Sequence, residues 1–167
     1  VSITDVAGET AQNQSNGRWV QMPNVTVNTL SAFQVMSNAV TFGSASAGQQ
    51  NMEASFILNN TGNDPFNFIN ITAYDLNNSD STSFFRIEGN FSVNATQNAG
   101  GRGRALINRT QVNVPIAGIN ASLPITNPDG TSGFQAIYFY VDVPLTGLST
   151  STTYNSTPPG WAINVTN

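Results

Sequence analysis

The sequence predicts an all-β chain: an antiparallel β-sandwich, favoured over a barrel, of about eight to nine strands with an extended N-terminal strand or tail. Three observations lead there. Apolar and polar residues alternate with period two along much of the chain, clusters of Gly, Asn, Asp, Pro and Ser separate the alternating runs, and no segment sustains a helical stripe. At 167 residues the chain is long enough for one domain with a full core and short for two.

Taken in order, VSITDV (1–6) carries β-branched residues on both faces and is followed by the polar, aperiodic AGETAQNQSNG (7–17). VQMPNVTVNTL (20–30) alternates around Val25 and Val27, FQVMSNAVTF (33–42) follows, and MEASFIL (52–58) alternates around Met52, Ala54, Phe56 and Leu58. FNFINITAYDL (66–76) alternates around Ile69, Ile71 and Ala73. SFFRIEG (83–89), FSVNAT (91–96), ALINRTQVNV (105–114), FQAIYFYVDV (134–143) and WAINVTN (161–167) complete the expected strands. Between them, NNTGNDP (59–65), DLNNSDS (75–81), NAGGRGR (98–104), NPDGTSG (127–133) and STPPG (156–160) supply residues that tolerate a left-handed backbone, preset φ, or bond their own main chain. The expected organisation is an N-terminal strand and linker over 1–17 and a sandwich over 18–167.

Composition narrows the function classes. Hydrophobic residues make up 39% of the chain, adequate for a core, but charged residues only 8%, against about a quarter in ordinary domains. Solubility must then come from amides, hydroxyls or attached sugar. A net charge of -4, with five Arg and no Lys, leaves no basic patch to track a phosphate backbone or an anionic lipid surface, so neither nucleic acid nor membrane is an expected partner. No apolar run reaches the length of a membrane span, and Val1 opens without a charged-then-apolar leader, as in a mature chain. There is no Cys, so disulfides are excluded.

Asn-x-Ser/Thr triplets, the acceptor pattern for N-linked sugar, begin at Asn13, Asn24, Asn59, Asn70, Asn77, Asn90, Asn94, Asn108, Asn120, Asn155 and Asn164. With 23 Asn and 34 Ser plus Thr, chance gives about five such triplets, and the chain has eleven. The excess predicts a glycoprotein outside the cell. Several triplets fall within strands: in NVTVN, NIT, NFSVNAT and NVT the Asn and the Ser or Thr share one face while Val, Ile or Phe share the other. This pattern assigns one face to the core and the other to a glycan coat.

Catalytic chemistry is sparse. Without His, Cys or Lys, the Ser-His-Asp and Cys-His arrangements, His or Cys metal sites and Schiff bases are absent. What remains is a carboxylate pair of glycosidase type among Asp5, Glu9, Glu53, Asp64, Asp75, Asp80, Glu88, Asp129 and Asp142, and no spacing singles one out. DLNNSDS offers oxygen ligands for calcium, but its sixth position is Asp80 and its twelfth Arg86, where an EF-hand loop needs Gly and Glu. NPDGTSG, around Asp129, and DLNNSDS both read as Asx-type turns, and NAGGRGR lacks the Lys-Ser/Thr ending of a phosphate loop. Trp19, Trp161, Tyr138, Phe139 and Tyr140 could form a sugar platform, though aromatics on strands usually serve packing. No enzyme activity and no cofactor or metal is expected.

An isolated strand such as VSITDV cannot satisfy its own backbone groups, so it pairs either within its own sheet or with another molecule. In the second case Val1, Ile3 and Val6 belong to a donor strand, and repeated head-to-tail addition builds a filament of identical subunits. A Cys-free, Lys-free, sequon-dense β-chain in the order tail then sandwich, with FILNNTGNDPFNFINITAYDL (56–76) as its strand, Asn-Thr-Gly turn, strand unit, resembles the subunits of archaeal surface filaments. These are the threads and bundling pili that are similar to TasA/camelysin-type biofilm fibre proteins. The resemblance implies an immunoglobulin-like sandwich completed by the N-terminal strand of the next subunit, in a glycosylated homopolymer on the cell surface. The alternatives are a self-contained S-layer or adhesin module and, further off, a carbohydrate-binding or glycosidase domain.

Overall fold

Among the residues described by the computed structural model (12–15, 18–21, 27–37, 39–97, 103–116, 119–125, 133–158 and 160–167), the chain is all-β and forms no helix. The strands are β1 (Gln12–Ser15), β2 (Arg18–Gln21), β3 (Phe33–Val35), β4 (Met52–Asn60), β5 (Phe68–Thr72), β6 (Leu76–Asn78), β7 (Phe84–Phe85) and β8 (Phe91–Asn94). They continue as β9 (Arg104–Ala105), β10 (Gln111–Asn113), β11 (Pro115–Ile116), β12 (Ile119–Asn120), β13 (Phe134–Val141), β14 (Tyr154–Asn155) and β15 (Ala162–Thr166). The larger sheet has the order β3-β4-β13-β8-β9, and a three-stranded sheet β10-β5-β15 packs against it. A short sheet β14-β6-β7 prolongs the second layer, while β11-β12 and β1-β2 pair only within themselves. Every ladder between these strands is antiparallel.

The alternation in MEASFIL and FQAIYFYVDV builds the centre of the larger sheet. β4 and β13 pair from Phe134↔Asn59 to Val141↔Met52, which puts Phe56 and Leu58 on the same face as Ile137, Phe139 and Val141. β8 adds Phe91 and Val93 to that face through Val141↔Phe91 and Phe139↔Val93. Ile69 and Ile71 of β5 and Val112 of β10 meet them from the second sheet, and all these side chains belong to one buried cluster. Phe139 lies at its middle, with ring centroids 5.6 Å from Phe56 and 5.5 Å from Trp161. Each buried side chain of this size contributes roughly 1.5–3 kcal/mol by leaving water.

The turn after β4 ties the preceding chain to the sandwich. Asn60 is buried, accepts the Gly62 N–H at Oδ1 (2.9 Å) and donates from Nδ2 to the Asp64 carbonyl (2.9 Å). The Thr61 and Gly62 amides both donate to the Ala32 carbonyl, and Asn63 brackets Leu30, donating its amide to the Leu30 carbonyl and accepting the Leu30 N–H at Oδ1 (2.6 Å). Position 62 must be glycine for a steric reason: a Cβ there would run into the backbone at Leu30 and Ala32.

Several expected strands are shorter than the sequence suggests. Among the described residues of 20–30, Val20 and Gln21 lie in a ladder and 27–30 form no strand; among those of 33–42, only β3 is a strand. Val40 and Phe42 instead turn in against the core, Phe42 meeting Phe91 edge to face at 5.9 Å. The run 105–114 is broken at Arg109, whose φ of 61 turns the chain out of the ladder between β9 and β10. Only Phe84 and Phe85 of 83–89 are in a strand, because the Ile87 N–H is taken by Asp75 Oδ1 (2.8 Å) and Gly89 turns at φ +79. The β1–β2 hairpin spans the expected boundary between residues 17 and 18. Val1, Ile3, Val6 and Asn24 lie outside the described residues.

Candidate strand-acceptor edge

The two sheets close on one margin and stay open on the other. On the closed margin Ala95 N–H donates to the Pro115 carbonyl (2.8 Å), and Arg104 Nη1 donates to the Asn113 carbonyl (2.9 Å), joining β8 and β9 to the β10 side of the second sheet. The opposite margin is flanked by β3 and β15. There the sheets are tied at one end by a single oxygen: Asp64 Oδ2 accepts from Ser31 Oγ (2.7 Å), just before β3, and from Asn167 Nδ2 (2.6 Å), just after β15.

Between these flanks the core is half-covered. Phe33 and Val35 of β3 and Ile163 and Val165 of β15 all point inward and pack on the buried cluster, yet each is only partly buried, whereas Ile69 and Ile71 beside them are fully enclosed. Trp161, next to β15, is likewise half-buried, its indole N–H donating to the Tyr74 carbonyl (2.8 Å).

The backbone of β15 is also half-used. Ile69 of β5 donates its N–H to Ala121 and accepts from Val114, so the odd residues of β5 bond away from β15 and Phe68, Asn70 and Thr72 bond toward it. Their partners are Thr166, Asn164 and Ala162. The alternation of an antiparallel ladder then directs the N–H and C=O of Ile163 and Val165 to the open side, where no described strand lies. Outward-facing backbone with no described strand beside it and a half-covered apolar row on the same margin make a site suited to one more strand.

The sequon asparagines are distributed unevenly. Asn155 and Asn164 are exposed. Asn59, Asn77, Asn90, Asn94, Asn108 and Asn120 are half-buried. Five of these six side chains are engaged: Asn77 Nδ2 with Thr157 Oγ1 (3.1 Å), Asn90 Nδ2 with the Arg86 carbonyl (3.0 Å), Asn94 Oδ1 with Thr96 N–H (3.2 Å), Asn108 Oδ1 with Asp75 N–H (3.1 Å) and Asn120 Oδ1 with Arg104 (3.4 Å). The buried Asn59 Oδ1 has no partner. Asn70 is 3% exposed, and its Oδ1 too is unpartnered. In NFSVNAT both faces are covered at the centre, since Ser92 is as buried as Phe91 and Val93. Asn13 lies in the backbone of β1.

Four of the described carboxylates have local duties. Asp75 holds the Ile87 amide and meets Arg86 (3.4 Å), Asp142 Oδ1 accepts the Asn51 N–H (2.8 Å), Glu53 accepts from Gln97 (2.7 Å), and Asp64 forms the clasp described above. In DLNNSDS, Asn78 Oδ1 accepts the Thr82 and Ser83 amides, so this segment is a side-chain-closed turn. Phe139 and Tyr140 are buried and Tyr138 is half-buried. The sequence alone marks none of Phe33, Val35, Ile163 and Val165 as site residues, and it offers Asp64 only as one of nine carboxylates. Alternation marked WAINVTN as a strand, but being at an edge is a property of sheet order, which alternation does not encode.

Comparison of the chain with protein-family models, with characterised proteins and with solved structures returns no match.

Proposed function

We propose that the chain is a structural subunit of an extracellular, glycosylated surface filament that polymerises head to tail by strand addition. The observation that carries this reading is the margin where, among the described residues, no strand pairs with the outer side of β15, beside the half-buried row Phe33, Val35, Ile163 and Val165. A sandwich left in this state gains buried apolar area and main-chain hydrogen bonds when a strand joins it. The β-branched-rich segment 1–6, carrying Val1, Ile3 and Val6, has the composition of such a strand. Eleven sequons on a chain with 8% charged residues suit a surface that stays hydrated through sugar.

Deleting residues 1–6 and measuring mass by light scattering tests the reading. The full chain gives polymer that persists on dilution, and the truncated chain gives monomers. Equal association of the two overturns strand addition, as a self-contained S-layer or adhesin module would require.

A further inference from the structure

We propose that residues 1–5 of one subunit add antiparallel to β15 of a second copy, with Ile3 opposite Ile163 and Val1 opposite Val165. This rests on the filament reading above and adds the acceptor strand, the register and the polarity.

The acceptor follows from elimination among the edges. β9 has two residues, β10 lies on the closed margin beside Arg104 and Pro115, and β3 has three residues. β15 offers five residues in a ladder that, among the described residues, has a partner strand on one side only. The register follows from bond direction. Ile163 and Val165 are the residues whose amides and carbonyls face outward, and in an antiparallel ladder the residues that exchange both bonds are directly opposite and point to the same face. The donor residues bonded to them therefore point inward, over the core. In VSITDV the odd positions place two branched aliphatic side chains, Val1 and Ile3, two residues apart, matching the spacing of Ile163 and Val165. The even positions would point Ser2 and Thr4 at Phe33 and Val35 instead.

Charge sets the polarity. In the antiparallel arrangement Asp5 falls opposite Trp161, at the end of β15 remote from the clasp. In a parallel arrangement with the same aliphatic pairs, Asp5 falls opposite Asn167, whose Nδ2 is bonded to Asp64 (2.6 Å). Two carboxylates would then share one end of the strand, an unfavourable like-charge pairing. The chain's own course favours a second copy as donor: β1 and β2, which follow the segment, take no place in either sheet of the sandwich.

Because the chain has no Cys, introduced thiols report unambiguously. Directly opposite residues in a bonded pair have Cα atoms about 5.5 Å apart, within disulfide range, whereas diagonal neighbours are at or beyond its limit. In assembled Ile3→Cys/Ile163→Cys protein, oxidation is expected to give a ladder of covalent multimers on non-reducing denaturing gels that collapses on reduction. Ile3→Cys/Val165→Cys protein is expected to give none. A ladder from the second variant alone overturns the polarity, and a disulfide confined to monomers overturns the second copy as donor. Filaments seen by electron microscopy with no cross-link in either variant overturn the choice of β15 and leave the filament reading standing. Absence of filaments from the unmodified protein overturns both.

Discussion

Asn70 on β5 and Asn164 on β15 are direct cross-strand partners, and both open Asn-x-Thr triplets, yet one is enclosed and the other exposed. They lie in a row of three with Asn113 of β10, on the face turned away from the core. The central amide is enclosed, and the edge amide is open to solvent. A transferase must reach Nδ2, so glycopeptide mapping of the native protein is expected to find sugar at Asn164 and Asn155 and none at Asn70. Sugar on Asn70 would contradict this placement.

The same enclosure has an energetic counterpart. Asn70 Oδ1 is buried without a partner, and such an atom costs about 1–3 kcal/mol. Asn70→Val keeps a β-compatible shape and removes the polar group, so the variant is expected to be more stable by about 1 kcal/mol in urea unfolding. A loss of similar size would mean that the amide is paired.

Gly62 sits where two chain segments touch. Replacing it with Ala pushes a methyl group into the backbone at Leu30 and Ala32, and neither atom belongs to a flexible side chain. Gly62→Ala is expected to cost at least about 2 kcal/mol, with faster exchange of the Thr61 and Asn63 amides. A silent substitution, measured by thermal unfolding, would refute the close approach.

Phe139 is 2% exposed and contacts Phe56 and Trp161 across the core. Phe139→Ala is expected to destabilise the fold by about 3–5 kcal/mol. Ile163→Ala, on the half-covered edge, should cost clearly less in the monomer, since much of that side chain still meets water. Assembly would enlarge the second loss, so the two variants are best compared by denaturant unfolding in both states.

The long alternating runs were the legible part of the fold. MEASFIL became β4, FQAIYFYVDV became β13 and WAINVTN became β15, because in each the inward residues meet a continuous core. Less could be read where a residue's partner lies far along the chain. Val40 and Phe42 alternate like strand residues but pack on Phe91 without a ladder, and Arg109 breaks a run whose neighbours would all accept a strand. The alternation of NIT set Asn70 on the outward face, where the register places it, but alternation does not encode its enclosure, and its ladder partners Asn113 and Asn164 are 43 and 94 residues away. The site was partly visible: the aliphatic spacing of β15 could be seen in the sequence, its position at an open margin could not.

The Arg86–Asp75 contact is exposed on the Arg side, at 3.4 Å, in a chain whose charged residues make up only 8%. Cohesion here comes from hydrocarbon and amide, forces that dissolved ions barely attenuate. Fresh water and brine should therefore leave the molecule about equally firm.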